Sequence, residues 1–163
     1  MDEAPDPTLM EASRPSVREA VELLFFAYRD FTADADALLQ HYAFGRAHHR
    51  VLHFVGRNPG ISVSDLLAIL RITKQSLARV LGQLVREGFI IQQPGDHDRR
   101  LRLLRLTDKG VALHRQLMAV QERRVAEAFE RAGADAVEGY RRVLIELVNA
   151  ADRERIVGIA GRP

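Results

Sequence analysis

The sequence predicts a mainly α-helical chain that carries one small β-hairpin. Two observations predict it. Apolar residues recur at three- and four-residue steps through most of the 163 residues, the rhythm of amphipathic helices. One stretch breaks that rhythm: leucine- and isoleucine-bearing runs flank Pro94-Gly95-Asp96-His97-Asp98, as in two strands joined by a turn.

Residues 1–13 are rich in acids, proline and small residues, and read as a disordered arm. From Pro15 an apolar stripe begins with Val17, Ala20, Val21, Leu24, Phe25 and Tyr28. Ser13 or Ser16 serves as its cap, and Glu19 follows Ser16 at capping-box spacing. Residues 30–40 continue the pattern through Phe31, Ala35, Leu38 and Leu39, with a break expected near residues 32–34. A second helix spans residues 46–57 and ends at Asn58-Pro59-Gly60. Ser62 opens a short helix with Leu66, Leu67, Ile69 and Leu70 as its apolar face. Arg71-Ile72 is a tight connection, and Thr73 caps the next helix, whose inner face is Leu77, Val80, Leu81, Leu84 and Val85 and whose end is Gly88. Strands at residues 89–93 and 100–106 form the hairpin. Thr107 starts a long helix to about residue 131, Gly133 stops it, and one last helix is expected over residues 135–155.

A short helix, a tight turn, a second helix and a hairpin, in that order, describe a winged helix-turn-helix. In that architecture the second helix projects its first-turn side chains into a major groove. Gln75, Arg79, Gln83 and Arg86 share the outward face of that helix, and Thr73, Lys74 and Ser76 occupy its first turn, where the helix dipole favours phosphate. Asp98, Arg99, Arg100, Arg102 and Arg105 cluster on the hairpin tip and its outgoing strand. An arginine on an extended tip suits a narrow minor groove, and a neighbouring carboxylate can hold the guanidinium pre-aimed.

Charge agrees with that placement. The net charge of +2 is a cancellation: residues 1–44 hold three arginines against nine acids, residues 45–110 twelve cations against five acids, and residues 111–163 nine against eight. The cationic surplus sits on the winged segment, which points to double-stranded DNA as partner. Apolar seams on the first and last helices exceed what a compact winged helix can cover, so a homodimer is expected, its two-fold axis matching a palindromic site. The chain thus divides into an arm (1–13), an N-terminal dimerisation region (14–44), a winged helix-turn-helix (45–110) and C-terminal dimerisation helices (111–163).

The chain resembles the MarR family of bacterial transcription regulators. The resemblance rests on Asp98-Arg99-Arg100 followed by Leu106-Thr107-Asp108-Lys109-Gly110, the family's wing pattern. It extends to the 61–70 and 73–88 helices and to Leu84-Val85-Arg86-Glu87-Gly88-Phe89-Ile90, so that it covers about residues 45–110. Gly45-Arg46-Ala47-His48-His49-Arg50 is similar to the PetP-like branch. The resemblance implies an intertwined dimer on a pseudo-palindromic operator, with Arg100 as the minor-groove arginine, Asp98 its partner, and Thr73 to Ser76 with Arg79 at the major groove. It also implies a small anionic or aromatic effector bound near the second helix.

That second helix carries Arg46, His49, Arg50 and His53 on one face, with Tyr28, Tyr42 and Phe44 as possible stacking partners. Three readings fit: a metal site in which His49 and His53 are joined by Asp34 or Asp36, an anion pocket, or structural pairing with the acidic N-terminal segment. The alternatives to an operator-specific regulator are accordingly a metal- or ligand-responsive sensor and a sequence-tolerant architectural DNA binder. No phosphate-binding loop, nucleophile elbow or zincin signature occurs, so no enzyme and no cofactor are expected. The absence of cysteine excludes thiol-based sensing. No run is long enough to span a bilayer and no secretory signal opens the chain, so a cytoplasmic address is expected.

Overall fold

A computed structural model describes residues 16–95 and 98–161. The arm at residues 1–13, the alternative cap Ser13 and the wing residue His97 lie outside the described residues. The elements are α1 (Val17–Gln40), α2 (Arg46–Arg57), β1 (Ile61–Ser62), α3 (Val63–Leu70), α4 (Lys74–Arg86), β2 (Ile90–Pro94), β3 (Arg102–Leu106), α5 (Asp108–Ala132), α6 (Ala134–Leu147), a 3-10 turn (Ala150–Asp152) and α7 (Arg153–Ala160). Two compact units, Met1–Gln121 and Glu122–Pro163, divide the chain within α5.

The first unit contains the helix-turn-helix. Ser16 caps α1, its hydroxyl accepting the Glu19 N–H at 3.1 Å. The break expected near residues 32–34 is absent: α1 runs unbroken to Gln40. Thr32, β-branched and a poor helix former, is accommodated because its hydroxyl donates to the carbonyls of Tyr28 and Arg29 at 3.0 and 3.1 Å. Only the last turns of α1 face the core, through Thr32, Ala35 and Leu39. Ser62 caps α3, with the Asp65 N–H on its hydroxyl at 3.0 Å. Arg71 closes α3 in the left-handed region (φ 51°), which makes the turn into α4 as short as it is. Thr73 then caps α4 by accepting the Ser76 N–H at 3.1 Å.

The core of this unit is continuous. Val51, Leu52 and Val55 from α2, Leu66 and Leu70 from α3, Leu77, Val80, Leu81 and Leu84 from α4, and Phe89, Ile90, Leu104, Leu113 and Leu117 beyond it are all buried. The inner face of α4 is therefore the one its apolar spacing predicts. The hairpin gains a strand the sequence reading lacks: β1 pairs antiparallel with β3, giving the order β1-β3-β2. Two residues, Ile61 and Ser62, make that strand against Leu104 and Leu103, too few to show an alternating pattern. Pro94 ends β2 opposite Arg102, on the sheet's edge, where a missing N–H costs no ladder bond.

The second unit holds the end of α5 with α6 and α7. The single last helix expected over residues 135–155 is instead two helices joined by the 3-10 turn. Val148 is extended (φ −71°, ψ 137°), and the Arg153 guanidinium donates to the carbonyls of Glu146 and Val148 at 3.3 and 3.4 Å. A cation thus satisfies carbonyls that a continued helix would have used. Phe129 and Tyr140 pack edge to face at 5.4 Å. They line an apolar groove of about 430 Å³ with Val137, Leu144, Val148 and Ile156.

Candidate nucleic-acid interface

Helix α4 presents Lys74, Gln75 and Arg79 to solvent in its first half, and Arg86 at its end. Among the described residues, Lys74, Arg79, Arg86, Arg99, Arg100 and Arg102 take part in no ion pair. Cations with no carboxylate in contact suit a polyanion-binding surface. The first turn of α4 bears no acid, so its dipole end is left open to a phosphate. Thr73 and Ser76 have a structural task as well: the Thr73 hydroxyl donates to the Ser76 hydroxyl at 2.9 Å, so this pair is tied to the cap.

The wing tip turns on the backbone. Gly95 N–H donates to Leu101 O and Leu101 N–H to Asp98 O, each at 3.0 Å. A Cβ at Gly95 would stand 2.8 Å from the Asp98 carbonyl oxygen, so the tight tip needs glycine. Asp98 accepts the backbone N–H of Arg100 at 2.9 Å. The contact to Arg100 is thus made through its main chain, where the sequence reading had the guanidinium, and it fixes where the side chain departs from the tip. Asp98, Arg99, Arg100 and Arg102 are all exposed.

A second cleft lies in the same unit between α1, α2 and α5. It has a volume of about 260 Å³, and Tyr28, Phe31, Arg46, His49, Arg50 and His53 line it together with Phe54 and Gln121. Five of the six residues singled out for a ligand meet there. Tyr42 does not: it packs edge-on against Phe89 at 5.3 Å and stacks on Phe44 at 5.8 Å. Arg46 bonds Asp36 at 3.0 Å and lies over the Tyr28 ring at 5.5 Å. Arg50 donates to Leu70 O at 3.0 Å, which ties the cleft wall to the end of α3. Pairing with the acidic N-terminal segment is therefore real at Arg46. Among the described residues no three metal-ligating side chains come close enough to hold an ion.

The cleft histidines are held neutral. Burial pushes His53 down to about 4 from an ordinary 6.5, and the charges of His114, His49 and Arg57 act in the same direction. Burial also lowers His49, with Asp36 opposing and His114 assisting. The unfolded chain therefore binds protons between pH 6.5 and about 4 that the folded chain refuses. Stability is full above the upper value and is lost as pH falls through that window. Urea midpoints measured from pH 7 to 5 should decline, and His53→Gln should flatten the decline. A wild-type midpoint that rises toward pH 5 would contradict the assignment.

Sequence reasoning missed how the end of α4 is held. The Thr107 hydroxyl donates to Gly88 O at 2.6 Å and Lys109 Nζ to Glu87 O at 2.9 Å. The Lys109 ammonium also sits 4.2 Å from the Phe89 ring centre. The signal was present in Thr107-Asp108-Lys109-Gly110, but its physical task is invisible until α4 and α5 are placed side by side.

Comparison with known proteins agrees with this geometry. The model of the MarR family matches residues 44–101. The HTH-type transcriptional regulator PetP of Rhodobacter capsulatus is 44% identical over 146 residues, covering 90% of this chain and 88% of its own. Among solved structures, FabT of Streptococcus pneumoniae, crystallised in complex with DNA, superposes with a TM-score of 0.72 at 20% identity over 80% of this chain and 93% of its own. The crystal structure of MarR does so with 0.65 at 24% identity over 94% and 98%. These two likenesses concern the fold. Among the described residues no helix is long and apolar enough to cross a membrane. With the wing, the tight turn and the cation-bearing second helix in place, and a relative similar over nearly its whole length, the chain belongs to the MarR family of DNA-binding transcriptional regulators.

Proposed function

We propose that the chain acts in the cytoplasm as a homodimer on a pseudo-palindromic operator, each α4 entering a major groove and each Arg100 the flanking minor groove. The observation that carries this reading is the set of six cations on α4 and the wing that find no carboxylate partner among the described residues. Gln75, Thr73, Ser76 and Arg79 supply base-edge chemistry, while Lys74, Arg86, Arg99 and Arg102 neutralise phosphates. The dimer is supported by two apolar surfaces that lie open: the first turns of α1, and the groove of the second unit.

The test uses a duplex selected from a random-sequence pool by the wild-type chain. Arg100→Ala should weaken binding to it by about tenfold or more while leaving helix content unchanged. Lys74→Ala should weaken selected and random duplexes alike and reduce the salt slope by about one. Unchanged affinity in Arg100→Ala would reject the wing's role. Equal affinity for selected and random duplexes in the wild type would favour an architectural binder.

The cleft supports a small effector. Two arginines, neutral imidazoles and the rings of Tyr28, Phe31 and Phe54 surround a space at the small end of ligand cavities, which suits a single aromatic ring bearing a carboxylate. Raised thermal midpoints with benzoate-type acids, lost in Arg46→Gln, are expected. Stoichiometric zinc in purified protein would favour the metal-sensing alternative.

A further inference from the structure

His48 lies outside both sites and ties the start of α2 to α4. Its ring stacks on Phe44 at 4.7 Å with planes 8° apart, and Phe44 in turn packs edge-on against buried Phe89 at 5.2 Å. The polar atoms of the ring are both engaged. Gly45 N–H donates to His48 Nδ1 at 3.1 Å, so the ring satisfies the N-cap N–H at the start of α2. His48 Nε2 meets Gln83 Oε1 at 2.9 Å, in the C-terminal part of α4. Gln83 Nε2 then donates to Glu87 Oε1 at 3.0 Å.

Every proton in this chain is assigned by its partners. A backbone N–H can only donate, so Nδ1 accepts. A carboxylate only accepts, so the Gln83 amide turns its NH2 to Glu87 and its oxygen to His48. His48 is therefore the neutral imidazole carrying its hydrogen on Nε2, and it donates to α4. Gln83, placed by its spacing among the outward residues of α4, is half-buried and spent on this contact. Apolar contacts through Leu77, Val80, Leu81 and Leu84 set which face of α4 is buried, but they are non-directional. A hydrogen bond from a stacked and anchored ring is directional, and it acts in the C-terminal part of α4, between Arg79 and Arg86.

We propose that His48 is a positioning residue for DNA recognition: through Gln83 and Glu87 it sets the rotation of α4, and so the aim of Gln75 and Arg79 at the base edges. The inference rests on α4 being the helix that reads DNA. A misaimed α4 keeps its charge, so the loss falls on discrimination and spares the attraction to any duplex.

The experiment measures affinity for the selected duplex and for a random duplex. His48→Phe keeps the stack and removes both hydrogen bonds. It should lower selected-duplex affinity about five- to tenfold, the scale of one or two net hydrogen bonds, with random-duplex affinity unchanged. Gln83→Glu should also lower discrimination, because two carboxylates then face each other on α4; its added negative charge weakens binding to any duplex, so the ratio of selected- to random-duplex affinity is the readout for this variant. Gln83→Glu with Glu87→Gln reverses the final link, since the carboxylate introduced at position 83 would accept from both His48 and the new amide at position 87. This pair should restore discrimination at unchanged net charge. Wild-type discrimination in folded His48→Phe, or a double variant as poor as Gln83→Glu alone, overturns the proposal. If His48→Phe does not fold, the Gln83 and Glu87 variants decide. Arg79→Ala separates the two levels. If it loses affinity while the His48 and Gln83 variants do not, only this inference falls. If Arg79→Ala and Arg100→Ala both bind as wild type, the reading of α4 falls and the inference with it.

Discussion

Gly110→Ala is expected to cost about 3 kcal/mol or more, and to abolish specific DNA binding at the temperatures where wild type binds. A Cβ at residue 110 would stand 2.1 Å from the carbonyl oxygen of Phe89 and 3.1 Å from its carbonyl carbon. Both are backbone atoms and cannot swing aside. The same carbonyl accepts the Thr107 N–H at 3.0 Å, and Gly110 N–H is held by the Thr107 hydroxyl at 3.1 Å. Relief of the clash therefore means lifting the first turn of α5 off the end of α4, which also breaks the Thr107 and Lys109 bonds to Gly88 and Glu87. Intrinsic propensity works the other way, since alanine in a helix is favoured over glycine by about 1 kcal/mol. Gly139→Ala serves as the control: it lies in α6, and nothing stands within 4 Å of its added methyl. Thermal melts should show a large fall for Gly110→Ala and a small rise or no change for Gly139→Ala. A Gly110→Ala chain melting at or above wild type would overturn the account of the clasp.

The contrast between these glycines shows where the sequence was legible. Thr73 and Gly88 bound α4 in the sequence as in the structure, because caps and left-handed ends are local chemistry. The buried face of α4 followed from spacing, since periodicity reports one helix against one core. Errors came where a side chain's bond back to the nearby main chain overrode the preference of the residue type. Thr32 read as a break because its own hydroxyl back-bonds are invisible in composition. Residues 148–152 read as helix because the Arg153 capping contact depends on a side chain returning across the turn. At the cleft, shared helical spacing brought Arg46, His49, Arg50 and His53 together, and Tyr28 met them because α1 packs beside α2. Tyr42 missed because it sits in the turn between the two helices, where Ala43 adopts φ 54° and spacing no longer reports direction. The Gly110 clash and the His48–Gln83 link join residues more than twenty positions apart, and nothing local announces either.

The second large effect concerns assembly. Val17, Val21, Leu24, Phe25 and Tyr28 follow one another at helical steps on α1, and they are 82, 47, 49, 71 and 51% exposed. The residues by which α1 joins the core, Thr32, Ala35 and Leu39, all lie beyond this stripe. Full burial of a large apolar side chain gains about 1.5–3 kcal/mol, so several on one stripe suffice for a stable association. Leu24→Asp combined with Phe25→Asp places two charges on that stripe without touching Thr32, Ala35, Leu39 or the winged core. Charged groups resist burial without a partner. The variant should therefore sediment as a monomer at concentrations where wild type is a dimer, with the far-UV signal of the winged core retained. Its affinity for the selected duplex should fall by about a hundredfold or more, because the second half-site is no longer delivered at high effective concentration. Arg100 and α4 remain intact in that monomer, so its affinity for a single half-site should match that of wild type. The two measurements separate assembly from recognition: a variant that stays dimeric removes α1 from the interface, and a monomer that binds the full site as tightly as wild type removes the need for two-fold binding.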